Sequence, residues 1–486
     1  MEKTIAKNAV FNMVYKALSV IFPLVIVSYA SRKLGANGIG EVSSAQNLVT
    51  YFTMFAALGI PSYGVRVIAQ SRKDKEKCNK TFTELFIVNL CSTCVCILLY
   101  FILLKIISIQ TGILNYIFAI LIVFNVFNVE WVYEGFEKYQ YIAIRSFVVK
   151  GISMFLLFMF VKDASDIVPY TLIVCFGTVG NYFWNIVSLH KYVKFRFGLL
   201  DVKKHLKVII TFFGSVIAIE LYSLIDITML SYVASSNVVG YYSNATKIVK
   251  MLANTITGIG AVMLPRLSMC FLERRFDDIK GIVKNFFNAT LTLSFPAAVG
   301  VALVSKEIVL LLFGNEFVSS IPTIIILSPL IILMPLSGGV FGQLLLTSEN
   351  EKKYLLCVSA GAIFNCILNY FFISLWQHNG AALASVITEA IVNLFMIIFS
   401  FKIIKFEIDK KEIIKTIFAT TIMLAVLMIL NVLMVDCSEI YALISKIIVA
   451  VSVYFSVLCI TRQKFMCGLI ENILRFFKRN KKMYKI

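Results

Sequence analysis

The sequence predicts an all-α, polytopic membrane protein of about fourteen transmembrane helices. It divides into two pseudo-symmetric six-helix bundles followed by two C-terminal helices. Three observations carry this. The 486 residues are 59% hydrophobic and only 15% charged, where a soluble domain holds about 45–50% apolar and about 25% charged residues. Apolar runs of roughly 20 residues, each long enough to cross the hydrocarbon core as a helix, recur from end to end. Lys and Arg gather in alternate connections between these runs, which fixes a register.

The first six spans are expected at about 8–31, 42–69, 82–108, 112–136, 142–161 and 167–190. The next six fall at about 206–232, 241–272, 286–313, 320–347, 355–376 and 380–404. Two more follow at about 414–435 and 440–461. The first run is too long for a signal-peptide core, and Ser31-Arg32-Lys33 follows it where a small-residue cleavage site would stand. It is expected to be a retained span. An even count puts both termini on one side.

The charges test this register. Thirty-three of the 46 Lys and Arg fall in segments that it makes cytoplasmic, among them "SRKDKEKCNK" (Ser71–Lys80), Lys191–Lys207, Lys402–Lys415 and the tail from Arg462. Five fall outside: Arg32, Lys33, Lys105, Lys162 and Lys306. The formal charge of +19 is thus explained by topology. No basic block interleaves with an aromatic platform, so nucleic acid is not an expected partner. The longest hydrophilic connection is about sixteen residues, too short to hold an extramembrane catalytic domain.

A repeat divides the chain. Asn37, Gly40, Ser43, Ala45, Val49 and Arg66 recur as Asn237, Gly240, Ser243, Ala245, Val249 and Arg266, each 200 positions on and without a gap. The stretches "GANGIGEVSSA" and "SSNVVGYYSNA" are therefore equivalent turns, joining spans 1–2 and 7–8. A six-helix unit preserves orientation on duplication, as in parallel transporter repeats. The expected divisions are 1–195, 196–405 and 406–486. Bundles repeated in this way enclose a central site and expose it alternately to the two sides.

Eleven cysteines scatter along the apolar runs. Those of "CSTCVC" (Cys91–Cys96) have no His or acidic cluster beside them and are expected to pack as small apolar side chains. Only Cys437 lies in an expected outer loop, so no outer disulfide is expected. His190, His205 and His378 fall in loops or at span ends without metal-ligand spacing. No metal or cofactor is expected.

Ionisable residues inside spans are costly and usually face a cavity or a partner. Span 7 carries Glu220 and Asp226, and span 8 carries Lys247 and Lys250 on one helical face. Asp226 and Lys247 should lie at similar depth, as a functional or a purely structural pair. Glu130 ends span 4, Arg145 and Lys150 follow in span 5, and Glu389 lies in span 12. Glu130 either joins a site or simply pairs with Arg145. Arg66, Arg266 and Arg145 bind cargo or snorkel to lipid phosphates, and Lys16 and Lys446 are expected to snorkel. Cations outnumber acids here, which favours an anionic cargo. The expected binding set is Arg145, Lys150, Lys247, Lys250, Arg66 and Arg266. The carboxylates expected to serve ion coupling are Glu220, Asp226, Glu389 and Glu130.

The run "DITMLSYVASSNVVGYYSNATKIV" (Asp226–Val249) resembles the span 7–8 signature of bacterial polysaccharide flippases, with Asp226, Gly240-Tyr241, Ala245 and Lys247 at its marked positions. Pro265-Arg266 resembles the Pro-Arg that ends span 8, and "LGIPSYGVRVIAQSR" (Leu58–Arg72) the end of span 2. "NCILNYFFISLWQHNGAALASVITE" (Asn365–Glu389) resembles the span 11–12 turn, departing at Ser374 and Gln377, where proline and glycine are common. The resemblance extends to about span 12. It implies the multidrug/oligosaccharidyl-lipid/polysaccharide exporter superfamily. The implied cargo is an undecaprenyl-pyrophosphate-linked oligosaccharide, flipped across the bacterial inner membrane for O-antigen, capsule or exopolysaccharide assembly. Both termini would be cytoplasmic, with membrane lipids, a polysaccharide polymerase and a chain-length regulator as partners.

Three alternatives stay open at this point. A multidrug cation antiporter on the same scaffold would show a cavity dominated by carboxylates. A membrane-embedded polymerase or ligase would need a sizeable outer loop, whereas these outer loops are short and nearly uncharged. A flippase for a lipid-linked peptidoglycan precursor is the third.

Overall fold

The structure, a computed structural model, describes residues 2–106, 112–198, 200–260, 263–435 and 437–468. The side chains of 2–21, and of 212, 215–216, 218–219, 221–222 and 259, lie outside that description. With them go Lys16 and most of the basic tail.

The described residues are mostly helical, joined by short turns and coil, with no strand among them. In hydrocarbon this is what the backbone requires, since a helix satisfies its own N–H and C=O groups. The helices are α1 (Glu2–Ala57), α2 (Ile60–Ser71), α3 (Lys75–Ile106), α4 (Ile113–Phe124), α5 (Glu130–Gly135), α6 (Tyr139–Phe160) and α7 (Ile167–Leu189). Next come α8 (Lys203–Val233), α9 (Ser236–Gly260), α10 (Met263–Leu272), α11 (Phe276–Leu303), α12 (Ser305–Leu312), α13 (Ser320–Leu327) and α14 (Leu330–Met334). A π-helical stretch, Pro335–Phe341, leads into α15 (Gly342–Thr347), and α16 (Glu351–Ile403), α17 (Lys410–Leu433) and α18 (Glu439–Ile460) complete the order.

Among the described residues, ten helical stretches are long and apolar enough to cross a membrane, or eleven if the bent pair α9–α10 is one span. The sequence count of fourteen differs because it divides α1 and α16 in two and adds α8. Both divided helices do leave helical geometry, at Gly35 (φ 68°, ψ −178°) and at Gln377 (φ 48°, ψ −125°). Large apolar side chains such as Leu98, Phe155 and Phe183 are about two-thirds exposed, the inverse of a soluble surface and the expected face toward lipid.

By contacts the chain forms two compact units, Met1–Gly240 and Tyr241–Ile486. In the first, α1 packs on α3, α4 and α8, and α6 on α7. Its core gathers Phe82, Leu85, Trp131, Tyr133 and Ile209. The packing unit extends past residue 195 because α8 lies against α1 and α2. A polar ladder joins α1 to α8: Ser231 Oγ donates to Ser44 Oγ at 2.9 Å, Asn47 Nδ2 donates to Thr228 Oγ1 at 2.7 Å, and Tyr51 meets the same hydroxyl at 2.8 Å.

The two equivalent turns meet inside this unit. A Cβ on Gly40 would stand 1.7 Å from the Ser236 carbonyl oxygen, and one on Gly240 2.1 Å from the Ala36 carbonyl oxygen. Residues 36 and 236 are themselves 200 apart, so each turn offers the same glycine and the same carbonyl to the other. Such a reciprocal contact is that of a two-fold axis. Only glycine permits it.

In the second unit α17 and α18 pack on each other, and α17 on α11. Lys446 does not snorkel. Its side chain is 3% exposed and its ammonium donates to Glu307 of α12. Two hydrogen bonds add to this docking: Tyr454 Oη donates to the Thr292 carbonyl at 2.6 Å, and Gln463 Nε2 to Thr292 Oγ1 at 3.1 Å. Polar groups buried this way cost little only when so satisfied.

Candidate functional site

In the first unit the expected site residues Glu130, Arg145 and Lys150 come together. Glu130 opens α5, and Arg145 points from α6, 2% exposed, with its Nη2 2.5 Å from Glu130 Oε2. Arg145 also donates through Nε to Asn181 Oδ1 at 3.1 Å and through Nη1 to Asn185 Oδ1, both on α7. Asn181 is aimed by its own bond to the Gly177 carbonyl, 2.7 Å, and the Tyr133 hydroxyl donates to the Asn185 carbonyl at 2.5 Å. A guanidinium carries five N–H donors, and three groups of the protein already engage this one. Arg145 is thus anchored in protein and does not reach lipid phosphates. Lys150, half-buried one to two turns further on, lies within electrostatic reach of Glu130.

On α8, Asp226 is buried and Glu220 half-buried. Asp226 stands on the helix that carries the ladder to α1. Arg66 on α2 is exposed, as snorkelling or ligand binding both require.

In the second unit Lys247 is exposed although residues 242–246 and 248–249 around it are buried. Lys250, one turn on, is half-buried, and Arg266 on α10 is exposed. Glu389 is 5% exposed and accepts a hydrogen bond from Ser337 in the π-helical stretch. Asn393, one turn beyond, donates to the Leu333 carbonyl at 3.0 Å, tying α16 to α14. Gly260 of α9 abuts the same stretch, since a Cβ there would lie 2.3 Å from the Gly339 carbonyl oxygen. π-helical turns are a recurrent feature of functional sites, and this one joins a buried carboxylate to the helix bearing Lys247 and Lys250. Asp226 and Lys247 belong to different units.

Sequence reasoning missed a third cluster. Glu84 of α3, fully buried, accepts from the Asp201 backbone N–H at 2.8 Å and lies 2.8 Å from His205 Nε2 and 2.9 Å from Lys204 Nζ. The other His205 nitrogen meets the Tyr63 hydroxyl at 2.8 Å. No local pattern announces partners 121 residues apart. The available signal is an acid two residues into a predicted span. No group of His, Cys, Asp and Glu among the described residues has the makings of a metal site.

Apolar helices following one another in tandem, with charged side chains paired at depth, define a multi-pass membrane protein. Residues 5–271 match the profile of the family described as "Polysaccharide biosynthesis protein". That is more than half of the chain, and the chain belongs to this family. The "Putative O-antigen transporter" of Escherichia coli (strain K12) is 24% identical over 410 residues, which cover 82% of this chain and 96% of that protein. The "Probable low-salt glycan biosynthesis flippase Agl15" of Haloferax volcanii is 23% identical over 170 residues, 35% of this chain and 36% of that one. Among solved structures, "Lipid II flippase MurJ, inward closed conformation" has a TM-score of 0.77 at 16% identity, covering 95% of this chain and 100% of that chain. An inward-facing multidrug resistance MATE family transporter of the MOP superfamily has a TM-score of 0.62 at 15% identity, over 78% and 93%. At such identities these two speak for the fold alone, which this chain shares with them.

Proposed function

We propose that this protein flips a lipid-linked oligosaccharide from the cytoplasmic to the outer leaflet of a bacterial inner membrane by alternating access. The undecaprenyl-pyrophosphate-linked repeat unit of O-antigen or a related polysaccharide is the cargo. The observation that carries this is the family match, together with a relative named for O-antigen transport that aligns over nearly its whole length. The cations support it. Lys150, Lys247 and Lys250 bind the pyrophosphate or acidic sugars, as compact ammonium groups suit phosphate oxygens. Arg66 and Arg266 hold lipid or cargo phosphates near the inner surface, and Arg145 keeps Glu130 in place beside Lys150. Glu389, Asp226 and Glu220 are the carboxylates for proton or sodium coupling, which draws about 2.3 kcal/mol per charge from each 100 mV. The polyprenyl tail stays in lipid, and no bond is made or broken.

Translocation of a labelled lipid-linked oligosaccharide in proteoliposomes tests this. Lys250→Glu should lower the rate about tenfold or more, the loss of one charge-assisted hydrogen bond being ~1.5–3 kcal/mol, while Lys250→Arg retains most of it. Full activity in both Lys250→Ala and Lys250→Glu removes Lys250 from the site. The same vesicles loaded with a peptidoglycan precursor or a cationic drug discriminate the two rival cargoes.

A further inference from the structure

The first unit holds a cleft of about 730 Å³ between α1, α3 and α8. Its walls include Phe55 and Leu58, Val88, Val95 and Leu99, and Leu206. The two hydroxyls on its lining are turned away: Tyr51 bonds Thr228, and Ser92 donates to the Ala56 carbonyl at 2.6 Å. What remains is hydrocarbon and the small, weakly polar thiols of Cys91 and Cys96. Along α3 the lining runs from Ile87 to Leu99, about 18 Å at 1.5 Å per residue. One leaflet of a hydrocarbon core is about 15 Å deep, so the cleft is one acyl chain long and far too short for a polyprenyl tail.

Its mouth is cationic. Leu206 lies between Lys204 and Lys207, both exposed, and Lys203 precedes them. Arg66 and Lys204 both lie within electrostatic reach of the Tyr63 hydroxyl, one turn from Arg66 on α2. Of the acids, Glu84 is consumed by Lys204, His205 and the Asp201 N–H, and Asp201 is exposed. The first turn of α8 carries no acid, leaving cations at the helix end that favours anions. The charge asymmetry of the sequence puts this mouth at the cytoplasmic surface.

We propose that this cleft and its rim form a binding site for an anionic phospholipid of the cytoplasmic leaflet, with an acyl chain between α1, α3 and α8 and its phosphate on Lys204, Lys207 and Arg66. The lipid joins α8 to α1 and α3 from the membrane side. It is a resident of the fold, independent of the cargo.

Native mass spectrometry of the full chain, extracted into mild detergent and titrated with phosphatidylglycerol or phosphatidylcholine, tests this. Wild-type protein should retain phosphatidylglycerol in preference. The variant Lys204→Gln/Lys207→Gln should bind it roughly fivefold more weakly per lysine removed, a surface cation near an anionic leaflet being worth that much. Because Lys204 also contacts Glu84, a second variant fills the cleft instead: Val95→Trp, on an exposed position, should lose the retained lipid with the thermal midpoint kept. Equal retention of both lipids, or phosphatidylglycerol retention unchanged in both variants, overturns the proposal. Displacement by a polyprenyl phosphate but not by phosphatidylglycerol also overturns it, and assigns the cleft to the cargo.

Discussion

Lys446 shows how depth misleads when charges are read one at a time. A lone lysine near a span end is expected to reach for the surface, yet here its ammonium is buried against Glu307, 139 residues away. Breaking a buried pair from one side leaves an uncompensated charge and costs ~3–5 kcal/mol, whereas replacing both partners with apolar groups is often neutral. Lys446→Ala should therefore lower the thermal midpoint in detergent sharply, and Lys446→Met with Glu307→Leu should recover most of the loss. An equally severe double variant would mean that the pair does more than hold α18 to α12. Arg145 differs in kind. Its planar fork is committed to three groups on α5 and α7, a geometry that a lysine cannot reproduce.

At the scale of elements, hydropathy made the helices legible, because span length and apolar content are local properties. The breaks were legible in part. Gly35 announced its turn through the glycine-rich repeat. Gln377 announced its own only through likeness to a turn where glycine is common, and the backbone there adopts φ 48°, which a side chain tolerates poorly. The turn is tight as well: a Cβ on Gly380 would lie 1.9 Å from the Phe372 carbonyl oxygen. Gln377 is exposed, so replacing it loses no packing. Gln377→Gly should raise stability by about 1 kcal/mol by relieving strain, read as a higher thermal midpoint. Unchanged or lower stability would show that the side chain pays its way through a contact of its own. Of the partners that join elements, Glu130 with Arg145 was legible because the two lie near each other in sequence; the distant ones were not. Glu84 with His205, or Tyr454 with Thr292, are pairings set by tertiary packing across more than a hundred residues, and no periodicity encodes them.

For the whole molecule, the register of spans rests on charge asymmetry, and Cys437 offers a direct check. It is exposed, and the expected register puts it in an outer connection. A membrane-impermeant maleimide should label it in intact cells, and Cys437→Ser should abolish that label. Labelling only after permeabilisation would invert the last hairpin and with it the orientation of the chain. The sequence exposed the family to inspection because family likeness depends on patterns spread over the chain. The arrangement of the cations within the fold depends instead on which helix faces meet, and a one-dimensional pattern is silent on that.

The glycine contact between the two turns is made twice over, once from each side. When two identical chains associate about a two-fold axis, every grip is made twice, each copy giving what it receives. Fusing the copies by duplication keeps both grips without new invention. Neither glycine can drift freely here, because a side chain at 40 or at 240 would strike the carbonyl that the other turn offers.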